Sequence, residues 1–234
     1  MRAELEPGAS VSTVFIVMTL LSSVVAAIGL IRDNATIVIG AMVIAPLLGP
    51  NMALALGTTL GDLKLARTSV RTNAFGIALV IMVAVLVGVV IPVDPHVREI
   101  ASRTEVGLGD IVLALAAGVA GALAFTTGAP ATLIGVMVAV ALVPPLVTFG
   151  LLVSAGCYEM ALRALLLTMV NVICVNLAGV STFILQGIHP RAWWDTDRAR
   201  RATQIAVSLW GALLILLTGL IWLSRSVCED QFCR

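Results

Sequence analysis

Residues Thr36 to Leu60, TIVIGAMVIAPLLGPNMALALGTTL, set the tightest limit on what this chain can fold into. The stretch is apolar and long enough to cross a bilayer. It is interrupted by Pro46, Gly49 and Pro50. A proline within a helix removes a backbone donor and clashes with the preceding turn. In hydrocarbon the freed carbonyls need partners, so such a break survives only inside protein or beside a water-filled cavity. The spacing predicts a helix broken within the membrane.

A second stretch, Ala131 to Gly156, has a similar layout. Aligned without gaps, Gly40 falls on Gly135, Met42 on Met137, Pro50 on Pro145 and Gly61 on Gly156. A fixed offset is what an internal repeat predicts. Composition supports the setting: 60% of residues are hydrophobic, 12% are charged and the mean hydropathy is +1.09. A soluble domain carries about 25% charged residues. The chain is expected to be an all-α polytopic membrane protein. A net charge of +1 with no basic block offers nothing to nucleic acid.

Taken in order, the apolar runs number about seven: Val11 to Ile31, the broken Thr36 to Leu60, Ala74 to Ile91, Ile111 to Phe125, the second broken run, Leu162 to Gln186, and Thr203 to Leu223. The first ten residues lack a signal peptide's positive n-region, so the first run is expected to be retained. The predicted organisation is a tail at 1–10, a three-helix repeat at 11–91 and a polar connector at 92–110. A second three-helix repeat follows at 111–187, then an interfacial loop at 188–202, a seventh helix at 203–224 and a tail at 225–234. Residues 61–73 read as a basic loop, Val97, Ile100 and Ala101 as a short surface helix, and Trp193 with Trp194 as an interfacial belt. Asp110 reads as the cap of the fourth run.

Three spans per unit is an odd number, so the second unit enters the membrane from the opposite side. The expected architecture is a 3+3 inverted-topology repeat with two Pro-broken helices plus one extra C-terminal helix. With the N-terminus inside, Arg2, Lys64, Arg67, Arg71, Arg191, Arg198, Arg200 and Arg201 are cytoplasmic. The other side then holds Arg32, Arg98, Arg103, Arg163, Arg225 and Arg234. The positive-inside rule thus favours N-terminus in and C-terminus out across the cytoplasmic (inner) membrane. Cys228 and Cys233 would then face the side where a disulfide survives.

VIGAMVIAPLLGPNMALALG, followed by a basic stretch and later by VALVPPLVTFG, resembles the bacterial hydrophobic membrane family called domain of unknown function 389, DUF389. The resemblance covers about Val11 to Gln186 and both proline-bearing breaks. It implies the membrane architecture and no substrate. Many members carry a cytoplasmic domain beside this region, which these residues do not include.

Broken helices near the midplane of inverted repeats form the sites of secondary transporters. The expected function is a secondary transporter or channel-like permease for a small solute, anions included; the alternative is a non-transporting lipid-binding or scaffolding membrane protein. The candidate binding residues are Pro46, Gly49, Pro50, Asn51, Thr58, Pro144, Pro145, Thr148, Asn171 and Asn176. Asn51 follows Pro50 at the expected start of a half-helix, where free donors suit an anion or a carbonyl. Pro144 and Pro145 cannot donate, so that region offers carbonyls. For each residue singly, capping or interhelical bonding is the simpler role.

Asp33, Arg67 and Arg71 are candidates for coupling or anion contact, although Asp33, Asp62 and Asp110 all fall at span ends, where capping explains an acid. His96 and His189 stand alone, so no metal site is expected, and no cofactor. No HExxH, GxSxG or P-loop is present, which argues against an enzyme. Two rows of small residues, Ala114–Gly118–Ala122 and Ala117–Gly121, allow close helix approach and a homodimer. Membrane lipids and a small solute are the other expected partners.

Overall fold

A computed structural model describes residues 10–128 and 142–188, together with single positions within 204–219. Eight helices lie in the two continuous segments: α1 (Thr13–Ile31), α2 (Ala35–Ile44), α3 (Leu48–Leu60), α4 (Leu63–Val90), α5 (Arg98–Ala101), α6 (Leu108–Thr127), α7 (Val143–Ser154) and α8 (Tyr158–Leu185). The described residues contain no strand. α1, α4, α6 and α8 are each long and apolar enough to span a membrane, and the bent pair α2–α3 qualifies as a fifth. The interfacial loop, most of the seventh run, Cys228 and Cys233 lie outside the described residues. Trp210 and Leu214 belong to the described helical positions there and pack against the buried cluster of Val106, Ala114, Leu167, Val170, Ile173 and Cys174.

Local chemistry sets the boundaries. Ser12 caps α1 by accepting from the Phe15 N–H at 3.1 Å, and Asn34 caps α2 by accepting from Ile37 at 3.2 Å. α2 stops because the residue before a proline is pushed out of the helical region. Ala45, ahead of Pro46, is extended (φ −66°, ψ 123°), and α3 departs at 50°. Ile91, ahead of Pro92, ends α4 in the same way (φ −114°, ψ 124°). Gly61 closes α3 in the left-handed region at φ 68°, where a side chain would be strained.

Three expectations need correcting. Residues 63–73 are not a loop: α4 starts at Leu63, so Lys64, Arg67 and Arg71 occupy its first turns. Asp62 caps that start, accepting from Leu65 at 3.1 Å, and nothing in 63–73 breaks a helix. At 28 residues, α4 is about 42 Å long and exceeds a hydrocarbon core of about 30 Å. Its polar turns therefore project beyond the apolar part. The same holds for α8, which starts at Tyr158 rather than Leu162. Thirdly, Gly49 and Pro50 do not break the chain. They lie within the first turn of α3, where a missing N–H costs nothing. The break is Ala45 to Leu47.

Close approaches fix the helix directions. A methyl group on Gly57 would meet the Ala66 nitrogen at 2.9 Å, so α3 and α4 form an antiparallel hairpin. Asn51 bonds Asn176, and further along both helices a methyl on Gly179 would lie 3.0 Å from that of Ala55. α3 and α8 therefore run the same way. A methyl on Gly150 would lie 2.5 Å from that of Ala84, and Gly88 abuts Ser154 four residues further along both helices. α4 and α7 therefore also run the same way. It follows that α4 and α8 run in opposite directions.

The helix starts also keep a register. α1 and α6, α3 and α7, and α4 and α8 each begin 95 residues apart. The contacts Ala84–Gly150 and Gly179–Ala55 map onto one another under that same shift, with glycine and alanine exchanged. Both small-residue rows of α6 are buried. A methyl on Gly118 would meet Ala178 at 2.8 Å, so these rows bring α6 onto α8 within the chain.

Candidate functional site

Beside the Pro46 break, α3, α4 and α8 bring three carboxamides together. Asn51 stands one turn into α3. Its Nδ2 donates to the Leu47 carbonyl at 2.8 Å and to Asn73 Oδ1 at 3.2 Å. Asn176 Nδ2 donates to the Val172 carbonyl at 2.8 Å and to Asn51 Oδ1 at 2.9 Å. Asn73 Nδ2 adds a longer bond of 3.4 Å to Asn51 Oδ1. A backbone carbonyl only accepts, so the atoms facing Leu47 and Val172 must be the nitrogens. That pins each amide to its own helix and turns the oxygens of Asn51 and Asn176 away from it.

The valences can then be counted. Asn51 uses both donors and both lone pairs, and Asn176 uses both donors. Among the described residues, Asn176 Oδ1 has no partner, and neither has the Thr148 hydroxyl. Both residues are fully buried, at 0% exposure. An unsatisfied buried polar group costs about 1–3 kcal/mol, so native structures keep few of them.

The other expected site residues are spread more widely. Pro46 makes the break, while Gly49 and Pro50 only support the first turn of α3. Pro144 and Pro145 lie in the first turn of α7, so their carbonyls enter the helical ladder rather than facing a cavity. The residues before them, 129–141, lie outside the described part. The Thr58 hydroxyl bonds the Leu54 and Ala55 carbonyls of its own helix. Asn171 is buried five residues before Asn176, about 140° around the helix axis.

Asp33 faces the connector instead of the site. Its carboxylate accepts from the Glu99 N–H at 2.9 Å, and its φ of 52° is left-handed. Arg67 and Arg71 are exposed on α4. Asp110 bonds back to the Gly107 N–H at 2.7 Å from inside the first turn of α6. No group of three or more metal-ligating side chains occurs among the described residues.

Sequence reasoning missed Asn73. In the sequence it stands at the end of the stretch 61–73 that reads as a basic loop, and only the length of α4 places it within a span. An asparagine at the start of an apolar run was the available signal.

This arrangement sits inside the segment that comparison with known proteins picks out. Residues 42–177 match the family described as "Domain of unknown function (DUF389)". The chain belongs to the DUF389 family. Its membrane region holds the Pro46 break, both residues of the Asn51–Asn176 bond and Pro144–Pro145. The chain is also similar to uncharacterized protein MJ0678 of Methanocaldococcus jannaschii. The two are 39% identical over 213 residues, which is 91% of this chain and 67% of the relative. That relative is archaeal, so DUF389 is not confined to bacteria. No solved structure matches the chain.

Proposed function

We propose that this DUF389 protein is a secondary transporter or channel-like permease for a small solute, built as a 3+3 inverted-topology repeat. The observation that carries this reading is the pair of equivalent crossings. α4 on α7 and α8 on α3 meet at residues related by one 95-residue shift, while α4 and α8 run oppositely. A fold made of two inverted halves has two near-equivalent arrangements, which alternating access requires. The carboxamide cluster beside the Pro46 break supplies polar atoms within an apolar interior. On this reading the protein lies in the cytoplasmic membrane with the first turns of α4 inside, where Lys64, Arg67 and Arg71 meet the cytoplasm.

The test is flux. Proteoliposomes are assayed by swelling and tracer uptake against a panel of small ions and metabolites, beside protein-free vesicles. At least one solute is expected to cross faster with the protein, and Asn51→Leu is expected to slow it at least tenfold. A panel in which nothing exceeds protein-free leakage overturns the permease reading and favours the scaffold.

A further inference from the structure

From the valence count we infer that the Asn176 carbonyl oxygen is the contact atom for a buried monovalent cation. The inference rests on the proposed function only in placing the ligand beside the break; it concerns binding, not movement. Three observations carry it.

The open valence has a sign. Every donor of the two buried amides is spent, on Leu47, Asn73, Val172 and each other. What remains on those two residues is an acceptor with two free lone pairs, which attracts a cation and repels an anion. An amide oxygen turned off its helix is the kind of ligand that replaces an ion's hydration shell in selective pores. The end of α2 lies at the same break, and the last carbonyls of a helix have no intrahelical donors. Pro46 in particular has no N–H to return to Met42.

The surroundings set the charge. Of the described acids at the ends of the spans, Asp33, Asp62 and Asp110 are engaged in capping backbone N–H groups, and Glu159 is exposed in the first turn of α8. The cluster offers neutral oxygens only. Neutral ligands compensate a single buried charge far better than a double one.

The fold provides its own control. Shifted by 95 residues, Asn51 falls on Leu146 and Asn176 falls on Ile81. The α4–α7 crossing thus packs with two aliphatic residues where the α3–α8 crossing uses two carboxamides. The architecture does not require amides at this junction. A polar pair with one oxygen left over is therefore there for a ligand.

The test uses the full chain in detergent or nanodiscs. Thermal unfolding is followed in NaCl, KCl and NH4Cl against choline chloride at equal ionic strength. At about a hundredfold excess over the dissociation constant, a bound cation should raise the midpoint by roughly 5–10 °C, saturably. Asn176→Leu should abolish the rise. Because that variant strands Asn51, the double change Asn51→Leu with Asn176→Ile serves as the folded comparison, since it reproduces the aliphatic crossing. A midpoint that small cations raise in the wild type but not in the double variant supports the site. An equal rise with choline, a rise retained in the double variant, or no rise at all overturns it. None of these last results touches the permease reading, which the flux measurement decides separately.

Discussion

Asn176 donates to Asn51 across 125 residues of sequence, and the 2.9 Å bond ties α8 to the first turn of α3. It links the two halves of the chain at the point where the proline break leaves the backbone least supported. Removing one partner should cost more than removing both. Asn176→Leu leaves Asn51 Oδ1 with only its 3.4 Å contact, a loss expected to destabilise by about 1–3 kcal/mol. The double variant Asn51→Leu with Asn176→Ile should recover part of that loss. Equilibrium unfolding of the two singles and the double gives the coupling, expected near 0.5–1.5 kcal/mol as for other interhelical bonds in membranes. Strict additivity would remove the bond from the stability of the fold.

The glycine crossings make a prediction that depends on residue order. Gly150→Ala places a methyl 2.5 Å from that of Ala84 and 3.1 Å from the Ile81 carbonyl, against backbone that cannot move aside. It should destabilise by about 1–3 kcal/mol, as overpacking does. Adding Ala84→Gly to Gly150→Ala exchanges the two residues and reproduces the order found at Gly179 and Ala55. That pair should recover most of the loss, less about 1 kcal/mol for a glycine within a helix. Thermal unfolding of the single and double variants checks this. Failure of the second change to rescue the first would break the equivalence of the crossings.

Asp33 separates capping from proton chemistry. The carboxylate holds the Glu99 N–H, and the residue sits at φ 52°, a region that Asp and Asn enter more readily than other side chains. Asp33→Asn keeps both features and should stay within about 0.5 kcal/mol of wild type. Asp33→Ala loses both and should cost about 1–2 kcal/mol. Limited proteolysis of the 92–107 connector should accelerate in Ala and not in Asn. An Asn variant as damaged as Ala would show that the negative charge itself matters.

Much of this was legible in the sequence because prolines and glycines act locally. Pro46 and Pro92 end helices through the residue before them, and Gly61 closes a helix wherever it stands. The 95-residue shift showed first as matched glycines and prolines and then as matched helix starts. What could not be read was how far a helix runs past its apolar part. Lys64, Arg67, Arg71 and Glu159 look like loop residues, yet each continues a helix because a span need not stop at the hydrocarbon edge. That misreading hid Asn73. Nor could the sequence show which asparagines meet: Asn171 and Asn176 look alike in the chain, and it takes the fold to show that Asn176 bonds Asn51.

The opposed directions of α4 and α8 predict which ends share a side of the membrane. The start of α4 and the end of α8 should face one side, and the α7–α8 turn the other. Cys157 already stands in that turn, half-buried and free. With Cys174, Cys228 and Cys233 replaced by serine, an impermeant maleimide should label Cys157 from one face of sealed vesicles only. With Cys157 also replaced, Lys64→Cys and Gln186→Cys should each label from the opposite face. The signs follow from the contacts alone: α3 reverses into α4, α8 runs with α3, and α7 runs with α4. Labelling of Lys64→Cys and Cys157 from the same face would contradict those directions and remove the inverted arrangement with them. Labelling as expected, from whichever face, would also orient the chain, because the side that exposes Lys64 is the side the positive-inside rule assigns to the cytoplasm.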